Sequence, residues 1–162
     1  MEMSEKTTGD EQELRVRKIE NGTVIDQITA GQALNVLKIL GITGSTDAVI
    51  SLVMNVPSKK MGLKDIVKIE DRELDPGEVD RIALIAPRAK INIIRAYDVV
   101  EKHSVYLPRV IQGILRCANP NCISNTNEPV RSKFVVEGSE DKPIFRCFYC
   151  EERFENAIEH LI

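Results

Sequence analysis

The stretch AVISLVMNVPSKKMGLKDIVKIE, residues 48–70, decides how the chain is read. Its first nine residues, AVISLVMNV, are rich in β-branched side chains and read as a strand. Pro57 is expected to begin a loop, and LKDIVKIE reads as the partner strand. Upstream, AGQALNVLKIL sets Ala30, Ala33, Leu34, Leu37 and Leu40 at helical spacing, with Gly41 as the stop. Downstream, Asp75-Pro76-Gly77-Glu78 has the form of a helix start: Asp caps, Pro takes the first helical position, and Glu suits the N-terminal dipole. Val79, Ile82, Ala83 and Ala86 give this second helix its apolar face, and Pro87 ends it. LRVRKIE and TVIDQI read as extended segments either side of the turn Asn21-Gly22, and KINIIRAYDVV as one more extended segment. The order β-α-β-β-α-β is the ferredoxin-like arrangement, an α+β fold with both helices on one face of an antiparallel sheet. The other face needs a cover, from a second copy of the chain or from a partner domain.

A length of 162 residues allows one ordinary domain or two small ones. With 43% hydrophobic and 29% charged residues the chain is globular, and with no Trp its core must be mainly aliphatic. No apolar run approaches the roughly 18 residues of a membrane span, and MEMSEKTTGDEQE lacks the apolar centre of a secretory signal. These features predict a cytoplasmic protein with no membrane partner, and residues 1–13 read as a flexible tail. Before Pro108 there are 15 basic and 17 acidic residues, and from it onward 7 and 8, which sum to the net charge of −3. Neither half has the basic field that draws nucleic acid.

The pattern changes at about Pro108, so the expected division is 14–107 and 108–162. The second part is short, turn-rich and holds every cysteine; a segment of that size buries little apolar surface and needs a staple. The cysteines form two close pairs, Cys117 and Cys122 in CANPNC, and Cys147 and Cys150 in CFYC. Two such pairs bring four thiolates around one tetrahedral Zn²⁺, with a β-rich excursion between them. Iron fits the same thiolates. A closed four-sulfur shell leaves no open position, so the metal is structural rather than catalytic. Disulfides do not suit a chain without an export signal. A redox Cys-x-x-Cys opens a helix in a thioredoxin-like unit, whereas this pair sits late in a small one. His103 and His160 have no nucleophile beside them, and GITGS lacks the full phosphate-loop pattern. Lys59, Lys60, Lys64 and Lys68 cluster about the turn between two strands, where a solvated hairpin explains them. The alternative is a zinc-ribbon nucleic-acid-binding module, with Phe145, Phe148 and Tyr149 stacking on bases. Packing of those aromatics around the knuckle is preferred.

Taken in order, GTVIDQI, LVMNVPSKKMGLKDIVKIE, APRAKINIIRAYDVVEK, LPRVI, and CANPNCISNTNEPV followed by CFYC resemble the regulatory chains of aspartate carbamoyltransferase. The resemblance runs from about Leu14 to the C-terminus. It implies a non-catalytic subunit in pyrimidine biosynthesis, with an N-terminal allosteric domain that binds CTP, ATP or UTP. It also implies a zinc domain that docks onto a separate catalytic chain, a homodimer through the N-terminal domain, and catalytic trimers bridged by regulatory dimers.

Carried over onto this sequence, the resemblance places Ile19, Val24, Asp26 and Gln27 in the nucleotide site, along the first strand region. It adds Lys68 and Lys102 for the triphosphate, and Asn92, Ile94, Tyr97 and Val99 around base and ribose. Backbone groups near Ile19 and Tyr97 read the base edge. Gln27 stands where the family often has His, so it hydrogen-bonds without adding charge. Ala118 follows the first cysteine where Pro is common, with little consequence for zinc.

Overall fold

The computed structural model describes residues 18–42, 44–127 and 130–162. The expected tail, residues 14–17 of the first extended segment, and Glu128 and Pro129 of the EPV motif lie outside them.

Five antiparallel strands form the N-terminal sheet: β1 (Gly22–Thr29), β2 (Ile50–Ser58), β3 (Gly62–Glu70), β4 (Lys90–Arg95) and β5 (Asp98–Ser104), in the order β2-β3-β1-β4-β5. Two helices, α1 (Ala33–Ile39) and α2 (Pro76–Ile85), pack on one face. The first four strands and the helices are the ferredoxin-like unit, and β5 extends it.

Local chemistry sets the helix ends. Asp75 and Glu78 form a reciprocal capping box: the Glu78 amide donates to Asp75 Oδ1 at 2.8 Å, and the Asp75 amide donates to Glu78 Oε1 at 3.1 Å. At the end of α1, Gly41 takes φ +71 and its amide donates to the Lys38 carbonyl, while the Ile42 amide donates to the Leu37 carbonyl. These two bonds are a Schellman stop, which satisfies carbonyls that the helix itself cannot. Asp65 supplies what the side chains at the start of α1 do not. It is fully buried; Oδ2 accepts the Gly31 and Ala33 amides at 2.8 and 3.0 Å, and Oδ1 accepts the Asn55 amide at 2.9 Å. One carboxylate therefore anchors a helix start and a bulge on β2.

Three expectations are corrected. Pro57 does not begin a loop, because β2 continues to Ser58; β2 is the sheet's edge, where the missing amide costs no ladder bond. Lys18–Glu20 are not strand, and the extended backbone begins at Gly22. KINIIRAYDVV is not one segment but a hairpin, turned by Ala96 and Tyr97 at φ +52 and +68. That left-handed pair is the turn tight hairpins need, normally signalled by Asn or Gly.

The core between sheet and helices is aliphatic: Ile25, Ile28, Val36, Val67, Ile69, Ile82, Ile91 and Ile93 are buried in it. Each such side chain contributes about 1.5–3 kcal/mol relative to exposure. The second sheet, β6 (Val110–Gln112), β7 (Lys133–Gly138), β8 (Pro143–Cys147) and β9 (Arg153–Phe154), is antiparallel in sequence order. Phe134, Phe145, Ile111, Leu115 and three of the cysteines fill its core, and Leu84 of α2 joins them. Ile85 and Leu107 pack against both cores, and Arg88 reaches Asp141 and Glu140 at 2.9 and 3.4 Å, so the two units meet through apolar and ionic contacts. The Arg88 Nε atom is near Asp141 without hydrogen-bond alignment, so this contact is ionic. Among the described residues no helix is long and apolar enough to cross a membrane.

Candidate functional site

Residues directly opposite in an antiparallel ladder point to the same face, and the register of the N-terminal sheet puts its polar residues in rows. Ser51 lies opposite Lys68, Lys68 opposite Val24, Val24 opposite Asn92, and Asn92 opposite Lys102. This row crosses all five strands on the face away from α1 and α2. A row on one side of it holds Ile94, opposite both Gly22 and Val99. Gly22 is required there: at φ +142 an added Cβ would stand 2.1 Å from the Ile69 carbonyl oxygen. On the other side, Asp26 lies opposite Lys90, which lies opposite Ser104. Asp26 Oδ1 accepts the Gln27 amide at 2.7 Å and pairs with Lys64 Nζ at 3.0 Å. Gln27 itself, at φ +56, sits in the β1 bulge.

Ile19 and Tyr97 lie at the rim. Ile19 is buried just before β1, and the turn carrying Tyr97 is tied to the same segment: the Tyr97 amide donates to the Glu20 carbonyl at 2.9 Å, and the Ala96 amide to Asn21 Oδ1 at 3.2 Å. The Tyr97 ring is exposed. Val24, Asp26, Lys68, Asn92, Ile94, Val99 and Lys102 thus share one face, Gln27 borders it, and Ile19 and Tyr97 close one end. Ser51, Lys64 and Lys90 belong to the same face and were not among the residues expected from the sequence. For Lys64 and Lys90 the signal is period-two spacing from Lys68 and Asn92.

The second site is the thiol cluster. The Sγ atoms of Cys117, Cys122, Cys147 and Cys150 all lie within 4.8 Å of one another, with Cys117–Cys150 at 3.4 Å and Cys122–Cys147 at 3.7 Å. A tetrahedral ion with metal–sulfur bonds of about 2.3 Å separates its sulfurs by about 3.8 Å, so the donor set fits one ion. Both knuckles aim amides at sulfur: Asn119 N–H at Cys117, and Tyr149 and Cys150 N–H at Cys147. Asn125 donates to the Cys117 and Asn119 carbonyls at 2.9 and 2.7 Å, which holds the first knuckle closed. Burial pushes the Cys117 and Cys147 thiols up, although those amides oppose it. Burial acts on Cys122 as well, but the Ser124 hydroxyl and amide outweigh it with help from Cys147 and Cys150, and bring this thiol down to about 7. A divalent cation reverses the penalty on the others by ionising them.

A model of the family described as aspartate carbamoyltransferase regulatory chain, allosteric domain, matches residues 14–106. The same family's metal binding domain matches residues 109–159. This chain belongs to the aspartate carbamoyltransferase regulatory chains. The regulatory chain of Methanothrix thermoacetophila is 60% identical over 153 residues, covering 94% of this chain and 99% of that protein. That of Methanocella arvoryzae is 62% identical over 151 residues, covering 93% and 97%, and that of Korarchaeum cryptofilum is 58% identical over 153 residues, covering 93% and 97%.

As a member of this family the chain is regulatory and not the catalytic chain. The aromatics divide between core and surface. Phe145 is fully buried and packs with Phe154, as expected, whereas Phe148 and Tyr149 are exposed. They are held at the surface: Lys133 Nζ lies 4.2 Å from the centre of the Phe148 ring, and the Tyr149 hydroxyl donates to the Arg131 carbonyl at 3.1 Å.

Proposed function

We propose that the sheet face of this regulatory chain binds a nucleoside triphosphate, CTP, ATP or UTP, and that binding controls a separate catalytic chain of aspartate carbamoyltransferase. The row Lys68–Val24–Asn92–Lys102 carries the reading, because it sets two ammonium groups on a half-apolar face where a phosphate chain and a base can lie together. Lys68 and Lys102 supply charge-assisted bonds to phosphate oxygens. Asp26 accepts ribose hydroxyls, Val24, Ile94, Val99 and Tyr97 give apolar contact, and Asn92 offers a neutral donor and acceptor. Backbone groups of the Ile19 and Tyr97 segments read the base edge. Gln27 adds a hydrogen bond without charge.

The chain divides at 107/108, and the four cysteines hold a single structural Zn²⁺. The zinc unit docks onto the catalytic chain, and regulatory dimers formed through the N-terminal unit bridge catalytic trimers. Contacts of Leu84, Ile85 and Arg88 with the second unit support a mechanical path between the two sites. Coupling of about 1–3 kcal/mol is the usual size of such control, and linkage requires substrate analogues on the catalytic chain to change nucleotide affinity by the same factor.

Calorimetric titration of CTP and then ATP into the zinc-loaded chain tests the reading. Lys68→Ala is expected to weaken binding by about tenfold or more. Equal affinity in chain and variant removes Lys68 from the site, and no binding by the folded chain sinks the nucleotide reading.

A further inference from the structure

Beyond the row that carries the nucleotide reading, the same face ends in a group of positive charges. The tip joining β2 to β3 is folded back on itself: Ser58 Oγ accepts the Lys60 and Met61 amides, both at 3.3 Å, and lies 3.5 Å from Gln27 Oε1. This turn places Lys60 beside Lys90 of β4, although the two are far apart in sequence. With Gln27, Met61, Arg88, Ser104 and the Arg88 partner Glu140 they line a cavity of about 370 Å³, beside Asp26.

The charges there do not cancel. Asp26 is matched by Lys64 at 3.0 Å, and Arg88 is held by Asp141 and Glu140 of the second unit. Among the described residues neither Lys60 nor Lys90 has an ion pair, and the two stand together in the cavity lining. The nearby Lys60 ammonium pulls the Lys90 pKa down, with a further push from burial, and Asp26 offsets this only in part. Two like charges held at a cavity by a fixed turn are relieved by an anion between them.

We propose that Lys60 and Lys90 form a distal phosphate subsite, which takes the terminal phosphates of a polyphosphate and makes the chain select triphosphates over monophosphates. This rests on the proposed nucleotide site, since Lys90 lies two residues from Asn92 on the same strand face. A nucleotide with its base toward Ile94 and Tyr97 runs its phosphates past Lys68 and Lys102 and reaches Lys60 and Lys90 last. Selection follows from length: a monophosphate ends at the first pair of lysines, and a triphosphate reaches the second.

Titrations of CTP, CMP and inorganic tripolyphosphate into the full-length, zinc-loaded chain test this. Lys60→Gln and Lys90→Gln are each expected to weaken CTP and tripolyphosphate by about three- to tenfold, leave CMP unchanged, and weaken further when combined; Lys60→Arg keeps the affinity of the parent chain. An unchanged CTP affinity in the double variant overturns the subsite while leaving the nucleotide face standing, and so does an equal loss for CTP and CMP. Binding of tripolyphosphate that depends on both lysines, without binding of either nucleotide, keeps the anion subsite and overturns the nucleotide reading.

Discussion

The two units of the molecule reach stability by different means. The N-terminal unit buries a continuous aliphatic layer between five strands and two helices, and its polar necessities are met internally, as Asp65 shows. The C-terminal unit has four short strands, and three of the buried side chains in its core are cysteines of the thiol cluster. In the first, the row of polar residues lies on an outer surface, away from the core. In the second, the thiol cluster is part of the core. A polar row outside a core can change its occupant without unfolding the unit, whereas a thiol cluster inside a core cannot be emptied without loss of packing.

Removing the metal is the largest way to break that contrast. Binding of a structural zinc contributes on the order of 10 kcal/mol to folding of such a module. Chelation, or Cys150→Ser, is therefore expected to expose the amides of β6–β9 to hydrogen exchange while those of β1 and β3 stay protected. Simultaneous loss of protection in both sheets would make the chain one cooperative unit. Cys150→Ser should also release the chain from catalytic trimers on size exclusion.

A smaller change sharpens the boundary. Leu84 belongs to α2 by sequence and to the second core by packing. Leu84→Ala should cost about 3 kcal/mol, read mainly as a lower denaturant midpoint for the C-terminal unit. A loss confined to the first unit would show that this junction does not transmit strain. The smallest effect addresses the first unit alone. Asp65→Asn keeps the shape but removes the charge that three amides share. It should cost about 2 kcal/mol in the unfolding of the N-terminal sheet, without change in bound metal by metal analysis.

What could be read from the sequence follows the same contrast. Signals confined to a few neighbouring residues were legible: the Asp75–Glu78 box, the Gly41 stop and both cysteine knuckles act within one turn of chain. The β5 hairpin was not, because Ala96 and Tyr97 adopt left-handed backbone that their side chains do not announce. Pro57 misled because its meaning depends on whether its strand lies at an edge. The resemblance named the residues of the polar face, but their alignment depends on a bulge at β1, and a shift of one residue would turn each side chain to the opposite face.

By itself, then, the sequence determined the class of fold, the cap of α2, the stop of α1 and the four-cysteine cluster, since short-range sterics, hydrogen bonding and ligand spacing suffice for them. The start of α1, by contrast, lies at Ala33 rather than Ala30 and is anchored by the distant Asp65. Only the tertiary structure decided which lysines stand together. Lys68 shares a row with Lys102, three ladders away, and Lys60 comes beside Lys90 through a folded turn. Those distances are properties of strand order and register, which are set by burying one face of the whole sheet at once.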